Sequence, residues 1–299
     1  MSLDSPAIRI EGLVKDYGTV HAVRGIDLEV RRGEVFGFLG PNGAGKTTTI
    51  RCLLDLLRPT AGRITVLGLD PRRDGIALRR RLAYMPGELR LPERMTAAGL
   101  AAAIGRLRGG LDTQRRDELA VRLDLDLDRR IRDLSSGNRR KVALLLAFLA
   151  DAKLLILDEP TNGLDPLMQR EFLRLVREAR ERGTTVFLSS HVLSEVQRAA
   201  DRVAILGKGS MLALGGVEEL RRRARQRVEV WFEGPPPTEE LARLPGLVDP
   251  HVEDHRFVAV LAGSIQPLLE VLARHPVVSL LVEEPDLEEA FLDLYEAAS

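Results

Sequence analysis

Short, nearly uninterrupted apolar runs occupy residues 35–39, 154–157 and 186–188. Strands of a parallel sheet are covered on both faces, so they show this pattern rather than a polar alternation. Residues 8–10 and 26–30 instead alternate apolar and polar positions, which is typical of strands with one solvated face. The chain is therefore predicted to be an α/β protein with a parallel core and an antiparallel β portion.

Between the first two of these runs the pattern becomes helical. Residues 97–107 and 115–125 have helical periodicity with no strand between them, and a strongly apolar helix is predicted over 143–150. A further helix is predicted at 49–57, directly after the first buried strand. Residues 88–150 are thus expected to form a helical subdomain inserted into the α/β core.

The pattern changes again after Leu214-Gly215-Gly216. Strands are predicted at 227–233, 247–253, 256–261 and 277–283, with helices at 238–244 and 265–274. This βαββαβ order is typical of a small ferredoxin-like α+β sheet. We expect two domains, residues 1–218 and 219–299.

A phosphate-binding motif follows the first buried strand. Residues 40–47 match the P-loop pattern GxxxxGK[ST], in the strand–loop–helix context that the motif requires. Its glycines allow several backbone N–H groups to face one phosphate, Lys46 would reach the β- and γ-phosphates of ATP, and Thr47 would bind Mg²⁺. The predicted nucleotide-binding residues here are Asn42, Gly43, Ala44, Gly45, Lys46, Thr47 and Thr48.

An acidic pair, Asp158-Glu159, ends the apolar run 154–157. Ligands gather at the carboxyl ends of parallel strands, so Asp158 is placed to hold Mg²⁺ and Glu159 to polarise the attacking water. The alternative is that the pair only caps the next helix. The P-loop upstream favours the catalytic interpretation.

The segment Leu134-Ser135-Ser136-Gly137-Asn138 precedes the apolar helix, and here the chain resembles the ATP-binding-cassette (ABC) ATPases, whose signature is commonly LSGGQ. Ser135 and the Gly137 N–H, at a helix N-terminus, would form a second phosphate-binding surface. By itself this segment could be an ordinary Ser N-cap. Its position shortly before Asp158 favours the signature.

The resemblance covers roughly residues 7–215 and assigns further roles. Tyr17 resembles the aromatic residue that stacks on adenine, although a tyrosine before a glycine is often only a packing residue. Asp165, in the loop after Glu159, resembles the residue that touches the opposite subunit. His191 resembles the switch histidine that contacts the γ-phosphate; a lone loop histidine is otherwise more often structural.

Two departures from the ABC pattern are evident. Gly87 stands where the family carries a glutamine that reaches the metal and the attacking water, so either Glu88 replaces it as a metal ligand or that contact is missing. Ser136 and Asn138 also replace the usual Gly and Gln of the signature. These changes concern coupling to a partner rather than ATP binding.

Composition narrows the function. The 44 basic and 44 acidic residues leave no net charge, which argues against a nucleic-acid partner. The single cysteine, Cys52, excludes a disulfide framework and is expected to be buried. We expect no signal peptide and no run of about 20 apolar residues that could span a bilayer.

The resemblance then implies an ATPase on the cytoplasmic side of the membrane, acting with a permease on a separate chain and forming a head-to-tail homodimer around two ATP molecules. The ending at 284–292 resembles that of daunorubicin-resistance-type drug and antibiotic exporters. The alternatives are a non-transport ABC ATPase that clamps nucleic acid or the ribosome, and the ATPase subunit of an importer. The predicted fold is a RecA-like sheet with an antiparallel β portion and a helical subdomain, followed by the ferredoxin-like domain.

Overall fold

The computed structural model describes residues 5–217 and 226–283. The chain divides into two compact units, Met1–Leu214 and Gly215–Ser299. Within the described residues, no helix has both the length and the apolar composition to cross a membrane.

The first unit contains two sheets. A three-stranded antiparallel sheet has the order β2-β1-β4, and a six-stranded sheet has the order β5-β6-β7-β3-β8-β9. The strands are β1 (Ile8–Tyr17), β2 (Val20–Val30), β3 (Val35–Leu39), β4 (Ala61–Val66), β5 (Leu82–Met85), β6 (Leu154–Asp158), β7 (Thr185–Ser190), β8 (Arg202–Gly207) and β9 (Ser210–Gly216). Strands β5, β6, β7, β3 and β8 run parallel to one another, which confirms the predicted α/β core with an antiparallel portion.

Seven α-helices of this unit are described: α1 (Lys46–Leu53), α2 (Gly75–Arg79), α3 (Ala97–Arg108), α4 (Thr113–Arg122), α5 (Ser136–Leu149), α6 (Pro166–Glu181) and α7 (Leu193–Ala199). Helices α3, α4 and α5 follow β5 and precede β6, as the helical periodicity of residues 88–150 predicts. Helix α1 begins three residues before the predicted start, and α5 begins seven residues early. Both helices begin within polar motifs, where no periodic apolar residues mark the start of a helix.

Both faces of the parallel sheet are buried, and this explains the uninterrupted apolar runs. Along β6, Leu155 and Leu157 pack into the core formed with the helical subdomain and α6, whereas Leu154 and Ile156 pack against the antiparallel sheet and α1. Cys52 is 2% exposed in this second core, as predicted. The sheet therefore holds the ends of β3, β6 and β7 rigidly beside one another.

The second unit has the predicted βαββαβ order: β10 (Gln226–Phe232), α8 (Thr238–Leu241), β11 (Leu247–Glu253), β12 (Arg256–Leu261), α9 (Gln266–Leu272) and β13 (Val277–Val282). Its sheet order is β11-β12-β10-β13 with every neighbouring pair antiparallel, the ferredoxin-like arrangement. Val228, Val230 and Leu268 contribute to a separate core. The ending at 284–292 lies outside the described residues.

Candidate functional site

The P-loop joins the end of β3 to the start of α1. Gly45 precedes the helix with φ of 98°, a left-handed conformation that L side chains rarely adopt. A Cβ on Gly45 would lie 2.6 Å from the Ala22 carbonyl oxygen of β2, so the loop is packed directly against that strand. Lys46 is 6% exposed, and its Nζ donates hydrogen bonds to the carbonyls of Gly40 (2.6 Å) and Pro41 (3.3 Å).

Thr47 and Asp158 form an oxygen-rich pair at the ends of α1 and β6. The Thr47 hydroxyl donates to Asp158 Oδ2 at 3.0 Å, and the Ser189 hydroxyl donates to the other carboxylate oxygen. Asp158 is 1% exposed, so its charge is held away from water by two neutral hydroxyls. Carboxylate and hydroxyl oxygens are hard donors, the type that Mg²⁺ prefers.

Glu159 lies between two basic side chains. Its Oε1 is 3.2 Å from Lys46 Nζ, and its Oε2 is 2.7 Å from His191 Nδ1. Although Oε1 is close to the lysine, it is buried without a hydrogen-bond partner, because the ammonium group is directed at the P-loop carbonyls. This oxygen is therefore an unused hydrogen-bond acceptor beside Lys46. The lysine and the histidine fix the position of this carboxylate, and a positioned carboxylate is one of the groups that serve as a general base.

The backbone of Glu159 is strained. Its φ is 49°, a left-handed value that is uncommon for a residue with a side chain. The Glu159 N–H donates to the Ser189 carbonyl at 3.1 Å, which ties this strained residue to the neighbouring strand. Such strain is typical of functional sites, where the surrounding structure holds a side chain in an unusual direction.

The signature residues and Asp165 lie at helix starts. The Ser135 hydroxyl accepts a hydrogen bond from the Asn138 N–H at 3.2 Å and caps α5, and Asp165 caps α6. A Cβ on Gly137 would be 3.2 Å from the Gly163 carbonyl oxygen, so the signature abuts the loop that contains Asp165. The structure thus places Gly137 beside the Asp165 loop, while the hydrogen bonds of Ser135 and Asp165 cap their own helices.

Tyr17 ends β1, pairs with Val20 across the hairpin and is 45% exposed. Lys15 Nζ lies 5.0 Å from the centre of its ring. The same hairpin continues to Ala22, which contacts the P-loop at Gly45. An exposed aromatic face is therefore carried by the strand pair that packs against the phosphate-binding loop.

The structure does not support Glu88 as a metal ligand. Its side chain is 71% exposed and pairs at 3.0 Å with the exposed side chain of Arg90, so it lies in solvent. No group of three or more His, Cys, Asp or Glu side chains suited to a metal occurs within residues 5–217 or 226–283. Gly87, in contrast, lies beside the site: a Cβ there would be 3.5 Å from Asp158 Oδ2.

Three residues that the sequence did not single out complete the site. Ser189 binds Asp158, and the Glu195 carboxylate accepts hydrogen bonds from the hydroxyls of Thr161 (2.6 Å) and Ser190 (3.0 Å). Arg140 donates to the backbone carbonyls of Glu159 and Gly87. Arg140 lies in a basic run, Arg139-Arg140-Lys141, at the start of α5, and nothing in the sequence separates it from its neighbours.

Comparisons with known proteins agree with this geometry. The sequence model of the ABC transporter family matches residues 23–162. A daunorubicin resistance ATP-binding protein of Streptomyces coeruleorubidus is 41% identical over 220 residues, 72% of this chain and 70% of the relative. A Nod factor export ATP-binding protein of Rhizobium meliloti (strain 1021) is 34% identical over 303 residues, 96% of this chain and 88% of that protein. A solved ATP binding subunit of an ABC transporter superposes with a TM-score of 0.68 at 30% identity, covering 72% of this chain and 92% of that one.

A P-loop after β3 and an acidic pair at the end of β6, two strands away in the same parallel sheet, are features of an ATP-hydrolysing cassette. The chain belongs to the family of ABC transporter ATP-binding proteins. Both the predicted family and the predicted ATPase class are confirmed.

Proposed function

We propose that this chain is the ATPase subunit of an exporter, that it binds ATP with Mg²⁺, and that it powers a permease on a separate chain. The convergence of Lys46, Glu159 and His191 carries the proposal, because it combines a phosphate-binding cation with a positioned base. The export role is supported by relatives named for daunorubicin resistance, bacitracin transport and Nod factor export.

In the proposed reaction, the oxygen of a water molecule attacks the γ-phosphorus of ATP, and the bond from that phosphorus to the bridging oxygen of ADP breaks. Glu159 accepts the proton of the water, and His191 holds the carboxylate through its 2.7 Å contact. Lys46 exchanges its carbonyl partners for the β- and γ-phosphates. The products are ADP and inorganic phosphate.

The residues present fit Mg²⁺. Thr47 and Asp158 would hold it, since they offer a hydroxyl and a buried carboxylate 3.0 Å apart. When bound, the ion would neutralise charge on the β- and γ-phosphates. Burial of Asp158 and its Ser189 hydrogen bond fix the direction of the carboxylate.

We propose further that two copies associate head to tail, with Ser135 and Gly137 of each copy closing on the ATP held by Lys46 of the other. A helix N-terminus offers free N–H groups and a positive dipole end to a phosphate. Tyr17 would stack on adenine, and Asp165 would lie at the contact between the copies. Both sites of such a homodimer would be able to hydrolyse ATP.

The permease would be held on the cytoplasmic side of the membrane by an open groove of ≈ 350 Å³ beside Gly87. Its apolar lining includes Leu89, Leu91, Leu100, Ile104 and Leu146, from the loop after β5 and from helices α3 and α5. A short amphipathic helix of the permease would fit such a groove. Opening of the dimer would then move the groove and the permease together.

The direct test is Glu159→Gln, with Glu181→Gln as the control because it makes the same charge change at an exposed helix end. We expect Glu159→Gln to lower the hydrolysis rate at least about 100-fold while ATP binding persists. Size-exclusion chromatography with ATP should show a dimer for Glu159→Gln. Hydrolysis at the parent rate would overturn the assignment of the base.

The transport role is tested separately by affinity purification of the tagged chain from detergent-solubilised membranes. A polytopic membrane protein in stoichiometric amount is the expected result. Recovery of ribosomes or nucleic acid without a membrane protein would instead favour the clamp function.

A further inference from the structure

Arg140 makes an unusual pair of contacts for a residue on the signature helix. From the first turns of α5, its guanidinium donates to the carbonyl of Glu159, and Nη2 donates to the Gly87 carbonyl at 3.0 Å. These carbonyls follow β6 and β5, which are neighbouring parallel strands. One side chain therefore joins the helical subdomain to both strand ends beside the nucleotide site.

The contact falls on the strained residue of the site. Because φ of Glu159 is 49°, its peptide carbonyl points in a direction that needs an external partner to persist. The N–H side of Glu159 is held by Ser189, and the carbonyl side is held by Arg140. Releasing the carbonyl frees the backbone to relax, which would rotate the carboxylate away from Lys46 and His191.

Arg140 is also half-buried, and its hydrogen bonds go to neutral carbonyls. Burial lowers the pKa of the Arg140 guanidinium, while the charges of Glu159 and Asp158 act in the opposite direction. A fork of N–H donors can span two acceptors, whereas a lysine ammonium acts as a point charge. The geometry of these contacts thus depends on an arginine.

We infer that Arg140 is a positioning residue that holds Glu159 in its working direction and links it to the helix that Ser135 begins. This inference rests on the proposed function. Arg140 lies five residues after Ser135, about 7.5 Å along the helix. If Ser135 closes on the ATP of a second copy, the same helix presents Arg140 to the Glu159 of its own chain. Arg140 would therefore link the helix that meets one nucleotide to the base that acts on the other.

The neighbouring Arg139 provides a matched control. It lies on the same helix and also donates to two carbonyls, those of Ile131 (3.1 Å) and Arg132 (3.0 Å), but it does not touch Glu159 or Gly87. Arg139→Met and Arg140→Met therefore remove the same charge and the same number of carbonyl contacts. Only Arg140→Met removes the hydrogen bond to the Glu159 carbonyl.

The experiment measures three quantities on the purified full-length chain: the kcat of Mg²⁺-dependent ATP hydrolysis, the affinity for ATP, and the protection of the Cys52 thiol as a check of folding. We expect Arg140→Met to lower kcat at least 10-fold, with ATP affinity within twofold of the parent and Cys52 protected. Arg140→Lys should give an intermediate kcat, because an ammonium group cannot reproduce both contacts. Arg139→Met should stay within twofold of the parent.

Equal kcat values for Arg140→Met and Arg139→Met would overturn the inference. If Arg140→Met exposes Cys52, the test uses the folded Arg140→Lys variant instead. A kcat of Arg140→Lys equal to that of Arg139→Met would also overturn the inference. Glu159→Gln is measured in the same series. Normal hydrolysis by Glu159→Gln would show that the proposed reaction, with Glu159 as its base, has failed, whereas loss of hydrolysis by Glu159→Gln alone would show that only the role of Arg140 is wrong.

Discussion

Arg122 on α4 connects the helical subdomain to α6, and its replacement by methionine should destabilise the first unit. Its guanidinium contacts Glu171 at 2.6 Å and both carboxylate oxygens of Glu178 at 2.6 and 2.8 Å. Methionine keeps much of the apolar stem and removes all three hydrogen bonds. The effect therefore measures the charged contacts rather than lost volume.

The expected loss of stability follows from how deeply the two glutamates are buried. Glu171 is only 9% exposed, and without Arg122 its one remaining partner among the described residues is Arg174 at 3.2 Å, so loss of the Arg122 contact should cost about 1.5–2 kcal/mol. The side chain of Glu178 is 37% exposed, and solvent screening limits its contribution to about 1 kcal/mol. We expect Arg122→Met to lower the free energy of unfolding by about 2–3 kcal/mol at pH 7.

The dependence on pH has a definite sign. The Arg122 hydrogen bond lowers the pKa of Glu178 below its ordinary value of 4.5. A carboxyl group whose pKa is depressed by folding stabilises the protein above the unfolded pKa and loses this contribution as the pH falls through the folded value. The difference between parent and Arg122→Met should therefore be full at pH 7 and shrink below about pH 4.5.

The assay can use the single cysteine. Cys52 is buried in the first unit, so its modification after equilibration in urea reports unfolding of that unit, whereas the single tryptophan, Trp231, lies in the second. Samples equilibrated at pH 7 or pH 4 would receive a brief pulse of thiol reagent at pH 8, where the reactive thiolate forms. The control is Arg174→Met, whose side chain is 68% exposed and contacts the same Glu171. A loss no greater than in this control, or a loss that is equal at both pH values, would refute the reasoning.

Gly45→Ala should abolish ATP binding and destabilise the first unit by at least about 3 kcal/mol, because φ is 98° and the added Cβ would clash with Ala22. The control is Gly18→Ala, measured by the same thiol assay. Gly18 has φ of 59° and open space around it, so this change should cost only about 1 kcal/mol. Tyr17→Ala should weaken ATP binding about 10-fold and Tyr17→Phe should not, as measured by titration with ATP, since stacking needs only the ring; equal affinities would refute an adenine contact. Burial and the charge of Asp158 raise the pKa of Tyr84 to about 12. The neutral phenol therefore stabilises the folded protein fully below the unfolded pKa of about 10, and this contribution should be lost as the pH rises to about 12. Absorbance titration of Tyr84→Phe should lack this late phenolate; an unchanged curve would contradict the assignment.

Much of the fold could be predicted from the sequence because burial imposes a regular pattern of apolar residues along strands and helices. Residues 35–39 and 154–157 are strands with both faces covered, and the structure places them as expected. Lys46, Glu159 and His191 meet because β3, β6 and β7 are neighbours whose carboxyl ends share one edge. Sequence motifs identified these residues one at a time; sheet order brings them together.

The features that could not be predicted depend on tertiary contacts, which leave no regular pattern in the sequence. Arg140 reaches carbonyls 19 and 53 residues away, and its place depends on how α5 packs on the strands. Glu88 was one of two alternatives, suggested by its position next to Gly87, and in the structure its side chain is exposed to solvent. Trp231 lies on the opposite face of β10 from Val228 and Val230, where Arg256 covers its ring at 5.4 Å.

The lysine of the phosphate loop is already held in place by the carbonyls of Gly40 and Pro41. Much of the rotational freedom of its long side chain, about 2 kcal/mol in a free lysine, is thus lost during folding rather than when a nucleotide arrives. In the proposed site, an incoming phosphate would replace one set of oxygen acceptors with another, and its departure would return the ammonium group to the two carbonyls. Reversible exchange of this kind favours repeated turnover over tight retention, which suits a site that must release its product in every cycle.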